Sequence, residues 1–254
     1  MIVKNAYPIL EYSSQQQAVI NPQKDMEAFP RRCMVTFFQE VLEGIVERHA
    51  AVRIGAYRSE MKQFPVYRIL YENTEMCIVQ AVVASGSIAM MTDWLYGQGV
   101  EAIVCCGGCG VLEPIPAGNV LLPVRALRDE GASYKYLPPS RFVDLELAPV
   151  QACKTVLERH QVPYLECTTW STDGFYRETR EMVAYRRAEG CLAVEMECAT
   201  MAAIAQFRQK SFGQLLYSGD LLAGERPYDN RDWYNNLSAR EKLVFLSLEA
   251  LCLL

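Results

Sequence analysis

The run Cys191-Leu192-Ala193-Val194-Glu195-Met196-Glu197-Cys198-Ala199-Thr200-Met201 sets two carboxylates into otherwise apolar sequence. Taking an ionised carboxylate out of water costs several kcal/mol unless something pairs or hydrogen-bonds with it. Two readings follow. Such a group can grip a ligand hydroxyl, or it can sit at a helix N-terminus, where the dipole and water stabilise it. In extended chain Glu195 and Glu197 share a face, whereas in a helix residues two apart diverge. At a strand-to-helix junction, at most one of the two points at a ligand.

Around this run, apolar strand-like stretches alternate with amphipathic helical ones. Residues 76–83, 100–106, 119–124 and 214–218 read as strands. Residues 87–98, 148–160, 195–208 and 238–254 read as helices, the last opening on a capping-box spacing, Ser238 with Glu241. A stripe of Val35, Phe38, Leu42, Ile45 and Val46 predicts a further helix over 32–48. The alternation predicts an α/β fold, with a central mixed, partly parallel twisted sheet flanked by helices. No linker, repeat or low-complexity tract interrupts the chain, so residues 1–254 read as a single domain.

With 51% hydrophobic and 22% charged residues, the chain can bury a sizeable core. Its net charge of −5 argues against a nucleic-acid partner, which calls for a basic face. Arg31-Arg32, Arg125 and Arg128 still leave room for a small anion. The first residues lack the apolar core of a signal peptide, and no stretch approaches a membrane span. The expectation is a soluble, cytoplasmic protein. The ten cysteines mostly lie in apolar runs, as buried free thiols do. Cys105-Cys106-Gly107-Gly108-Cys109 lacks a second ligand cluster, and His49 and His160 are distant in sequence, so no metal is predicted. Walker and Gly-x-Gly-x-x-Gly motifs are absent, and no cofactor is expected.

Ligands of open α/β sheets gather at the carboxyl ends of strands. Four segments fit that place. Gly107-Gly108-Cys109-Gly110 would let backbone N–H groups approach a ligand, or would simply form a turn. Trp170 to Arg177 is a polar loop in which Phe175 would stack on a planar ring or plug the edge of the core. Glu195-Met196-Glu197 is the third. The fourth, Tyr217-Ser218-Gly219-Asp220, puts an acid just past a buried strand, as a general acid or as a cap.

In this order the segments resemble the nucleoside phosphorylase family, which includes uridine phosphorylase and the hexameric purine nucleoside phosphorylases. Gly107 to Leu112, Gly118 to Pro123 and Arg128 to Ser133 look like its strand, glycine turn and "DGAS" region. Ser171 to Tyr176 resembles its base-stacking loop, Val194 to Glu197 its ribose-binding element, and Ser218-Gly219-Asp220 the "SD" of its purine branch. The likeness spans Met76 to the C-terminus. It implies a pentosyltransferase of nucleoside salvage that cleaves an N-glycosidic bond with phosphate. The same pocket would serve a nucleosidase using water, or a non-catalytic nucleoside binder. By resemblance, Glu195, Met196 and Glu197 bind ribose, while Phe175, Thr172 and Asp220 bind the base. Glu197 and Asp220 act in catalysis, Asp220 protonating a purine nitrogen.

Three departures stand out. The "GDPxR" loop is missing, Cys105 replaces an Arg on the strand before the glycines, and the expected Gly-x-Gly loop reads Val82-Val83-Ala84-Ser85-Gly86-Ser87. Phosphate binding is therefore assigned to Gly107 and Gly108 with Arg58 and Arg68, alongside Lys62, reaching across a homo-oligomer (dimer or hexamer). The uracil-reading Gln and Arg lack a clean counterpart, with Arg177, Thr179 and Arg180 near that place at shifted spacing.

Overall fold

The computed structural model describes residues 2–22, 29–223 and 228–254. Its strands are β1 (Ile2–Val3), β2 (Tyr12–Ser13), β3 (Arg32–Thr36), β4 (Val52–Arg58), β5 (Gln63–Tyr71), β6 (Thr74–Gln80), β7 (Ala102–Val111), β8 (Val120–Asp129), β9 (Phe142–Asp144), β10 (Tyr164–Thr172), β11 (Cys191–Glu195) and β12 (Ser211–Leu221). The helices are α1 (Gln39–Arg48), α2 (Ser85–Gly97), α3 (Leu147–Arg159), α4 (Arg180–Ala188), α5 (Cys198–Arg208) and α6 (Leu237–Cys252).

Apart from the small β1–β2 pair, the strands form one mixed sheet in the order β11-β10-β8-β12-β7-β3-β6-β5-β4, with β9 on β8. Parallel pairs join β6, β3, β7 and β12, and also β8, β10 and β11. An antiparallel seam joins β12 to β8. β11 also bonds back to β7, where Ala193 pairs with Val111 and Val194 with Gly110. Strands β7, β12, β8, β10 and β11 thus close into a ring, which leaves none of them with a free edge. Helices α2 and α5 pack on one face, around Ile88, Met91, Leu95, Met201 and Ile204. Helices α1, α3 and α6 pack on the other, around Leu42, Ile45, Val156, Leu243 and Leu251. The α/β architecture expected from the alternation is the one observed.

Several boundaries differ from the sequence reading, each for a packing reason. Residues 32–36 are strand β3 rather than the start of a helix. Cys33, Met34 and Val35 are wholly buried between β6 and β7, so they follow a fully buried strand's continuous apolar pattern instead of a one-sided stripe. The glycines after Cys106 form no turn, because β7 runs through them to Val111. A Cβ at Gly107 would lie 2.9 Å from the Phe37 ring, and one at Gly110 would lie 2.5 Å from Leu222. The glycines therefore serve close packing within the strand. Trp170 to Thr172 belongs to β10, and Trp170 is buried, donating its Nε1–H to Asp129 at 2.9 Å. The antiparallel β4–β5–β6 meander extends well beyond the single strand read at 76–83.

The last helix begins at Leu237, and its N-cap is Asn236, whose side chain accepts from the Ala239 N–H. This replaces the Ser238–Glu241 capping box. Asn236→Ala should lower unfolding free energy by about 1 kcal/mol, while Ser238→Ala should change it little. Urea titrations of the two variants check this, and the reverse order would restore the box.

Candidate active site

A cavity of about 690 Å³ opens where the carboxyl ends of β3, β6, β7, β11 and β12 converge, a size that suits a small organic ligand. Its wall combines a buried acidic corner, a half-open aromatic and acidic end, and an aromatic floor with one arginine.

The acidic corner is the β11–α5 junction. The chain leaves the strand at Glu195 and enters the helix at Cys198, with Glu197 at the N-cap position. The Glu195 carboxylate accepts from the N–H of Glu197 at 2.7 Å and of Cys198 at 2.6 Å. Its other oxygen takes the Ser171 hydroxyl at 2.5 Å and the Thr169 hydroxyl at 3.4 Å. Glu195 thus holds the first turn of α5 to the end of β10. Ser171 extends the tie by accepting from the Ala199 N–H at 2.9 Å.

Glu197 lines the same cavity as Glu195 but is bonded differently. One of its oxygens accepts from the Ala84 N–H at 2.6 Å and the other from the Met196 N–H at 3.3 Å, and the side chain lies on the cavity wall. Burial raises the pKa of both glutamates, but the hydrogen bonds to Glu195 oppose the rise. Glu197 is pushed up to about 8, first by burial and then by the charge of Glu195. Of this close pair, Glu195 keeps the charge and Glu197 the proton. Glu195 is therefore consumed by the strand-to-helix junction, while Glu197, at the N-cap position, lies on the cavity wall.

Ala84, which meets Glu197, has φ 76° and ψ 149°. An L side chain rarely occupies that region, and the strain is of order 1–3 kcal/mol. The altered glycine loop noted in the sequence is where it falls. Just beyond, Ser85 at the start of α2 donates its hydroxyl to Asp173 at 2.6 Å, and Asp173 also accepts from the Gly131 N–H at 2.9 Å. Asp173 fastens the Ser171–Tyr176 loop to the start of α2 and to Gly131.

At the half-open end stand Phe175, Glu178 and Asp220. Phe175 is 46% exposed and meets Tyr176 edge-to-face at 5.0 Å. Asp220 lies in the stretch of β12 where its register with β7 shifts, between Ser218 and Leu221, and burial raises its pKa, partly offset by the Tyr228 hydroxyl and by Arg231. Thr172 is buried and does not line the cavity, and its hydroxyl accepts from the Gly174 N–H at 3.1 Å, closing the turn before Phe175.

The floor carries Phe37, Phe38, Tyr217, Trp233 and Arg240, with Gly108 beside them. Gly107, Arg58 and Arg68 do not line the cavity. Phe37 covers Gly107. Arg68 lies on β5, 3.7 Å from Glu75, and Arg58 ends the outer strand β4. Arg240 donates to Glu40 at 2.5 Å and to the Trp233 carbonyl at 3.2 Å, its guanidinium 5.2 Å from the Phe38 ring centre. Its Nε is buried without a partner. Burial holds the Cys105 thiol well above its usual pKa, so it is neutral.

The family model described as "Phosphorylase superfamily" matches residues 31–248. The chain belongs to that superfamily. Among superfamily relatives, the guanosine phosphorylase of Halorubrum lacusprofundi is 27% identical over 179 residues, covering 66% of this chain and 70% of that one. The purine nucleoside phosphorylase of Plasmodium vivax is 25% identical over 202 residues, covering 76% and 79%. In fold, the crystal structure of uridine phosphorylase from Vibrio fischeri ES114 superposes with a TM-score of 0.75 over 93% of this chain and 99% of that one, at 18% identity.

Sequence reasoning did not single out Glu178, Arg240, Phe37 or Phe38 as site residues. Glu178 carried a usable signal, since it lies three residues after Phe175 in the same loop. Phe37-Phe38 directly follows the apolar run of β3, but Arg240 has only its place on a helix.

Ala84→Gly should raise stability by about 1 kcal/mol, the relieved strain outweighing the glycine's extra unfolded-state entropy of about 0.4–1 kcal/mol. Urea denaturation measures it, and a loss would mean that the Ala84 methyl packs favourably. A second expectation concerns pH. Glu197 and Glu178 are both pushed up to about 8 from an ordinary 4.5. Between those values the folded state binds more protons than the unfolded one, so stability is fully present below about 4.5 and falls as pH rises to 8. Glu197→Gln should flatten that slope, and an unchanged slope would show that Glu197 is ionised.

Proposed function

We propose that the protein is a nucleoside phosphorylase, cleaving the N-glycosidic bond of a purine nucleoside with phosphate to give free base and ribose 1-phosphate, with residues 1–254 as one domain. The observation that carries the reading is Glu197, a buried carboxyl on the wall of a ligand-sized cavity, with Phe175 and Asp220 at the other end. Superfamily membership and two purine-type relatives support it.

In this reading Glu197 meets the ribose hydroxyls, which need an acceptor in a dry corner, and Met196 packs on the sugar. The sugar becomes oxocarbenium-like as the bond to the base breaks, and a carboxyl at the hydroxyls is placed to follow that charge. Phe175 stacks on the base. Asp220 stands where the departing purine needs a proton. Glu195 acts through Glu197, by holding the junction from which it projects.

For phosphate, Gly108 offers its one backbone N–H, and Arg240 is the lining cation among the described residues. The β4–β5 hairpin carrying Arg58, Lys62 and Arg68 lies off the cavity of its own chain. The reading assigns it to a neighbouring copy's site in a homo-oligomer, dimer or hexamer. A cytoplasmic place in nucleoside salvage suits the same substrates. Water as nucleophile is a second reading. It is favoured by Phe37 over Gly107 and by the neutral Cys105, which leave that wall without a charge-assisted donor.

A panel of nucleosides incubated with and without phosphate, scored for free base and ribose 1-phosphate, tests the proposal. Phosphate-dependent release from purine nucleosides is expected, phosphate-independent release would favour hydrolysis, and tight binding without turnover would leave a binding protein. Glu197→Gln should leave the fold intact and lower kcat/KM at least 100-fold, on the order of 3 kcal/mol of transition-state binding. Unchanged kinetics would remove Glu197 from the ribose site.

A further inference from the structure

Glu178 has no role in the reading so far. It follows the short 3-10 turn Phe175–Arg177 and lines the main cavity with Phe175 and Asp220. The same three residues also line a smaller adjoining cavity, so they form the partition between the two. Two carboxyl groups on one partly dry partition do not both ionise readily, because each charge opposes the other.

Their surroundings decide which keeps the proton. Asp220 receives the Tyr228 hydroxyl and faces Arg231, and both favour its charged form. Burial and the Asp220 charge act on Glu178, and both favour its neutral form, pushing its pKa up to about 8. Tyr228 also faces Glu178, Arg177 precedes it on the same turn, Arg180 begins α4 two residues on, and Glu195 and Glu197 also line the main cavity.

We propose that Glu178 is a further catalytic acid of the proposed reaction, standing with Asp220 on the partition and supplying a proton to the departing base. As the C1′–N9 bond breaks, its electron pair passes into the purine ring. The Glu178 O–H bond breaks and an N–H bond forms at N7. The nucleophile's oxygen bonds to C1′, and Glu178 regains a proton from the nucleophile or from solvent. This rests on the glycosidic-cleavage reading and holds for phosphate or water as nucleophile.

The test compares inosine with 7-methylinosine, whose base already carries the positive charge that N7 protonation would supply. Glu178→Gln should lower kcat/KM for inosine about 30-fold or more, a sizeable part of what a positioned acid contributes. The same variant should change 7-methylinosine cleavage less than threefold. In wild type, kcat/KM for inosine should fall above pH 8, and the 7-methylinosine profile should lack that limb. Equal losses on both substrates would reduce Glu178 to a structural part of the loop, and no loss on either would remove it from the reaction. Both results overturn the proposal while leaving the cleavage reading standing. Absence of base release from every nucleoside, 7-methylinosine included, would overturn the two together.

Discussion

The site depends on how Glu195 is hydrogen-bonded. A carboxylate so deeply buried persists only because two backbone N–H groups and two hydroxyls converge on it. Those donors come from the first turn of α5 and from β10, so satisfying the charge also fixes the angle at which β11 turns into α5. Met196 and Glu197 occupy that turn. Their presentation to the cavity is a geometric by-product of a polar group's own needs.

The same charge sets the chemistry next door. Glu197 lies within reach of Glu195 and has fewer donors, so burial and that neighbouring charge favour its protonated form. A neutral carboxyl both donates and accepts, which suits it to sugar hydroxyls that also do both. It also sits in a dry corner without the full desolvation penalty of an anion. Asp173 plays a parallel role with less burial, joining Ser85 and Gly131 so that three chain-distant segments keep one arrangement.

The legible part of this design was the part with local chemistry. The Glu195–Glu197 run could be read because carboxylates in apolar sequence are conspicuous, and α3 because its apolar face keeps a helical period. Strand β3 was obscured because Cys33 to Val35 are buried on both faces and Phe38, Leu42 and Ile45 continue a helical spacing into α1. The glycines of β7 resembled a turn because the side chains that need them absent, Phe37 and Leu222, come from other elements. Arg240 and Phe37 join the cavity floor only through the packing of α6 and the end of β3. Long-range convergence of that kind leaves no mark at either position. The Cys105 departure was visible, whereas the phenylalanine cover beside it was not.

The closed ring of strands divides the cavity into two kinds of wall. Glu195, Met196 and Glu197 follow directly from β11, a strand hydrogen-bonded on both sides. Phe175 and Glu178 sit on a short turn between β10 and α4, where a changed side chain disturbs no strand pairing. Selection can therefore rework the second wall at little risk to folding, while changes to the first endanger the whole domain. A lineage built on this frame is free to rework the turn and is held to the same junction.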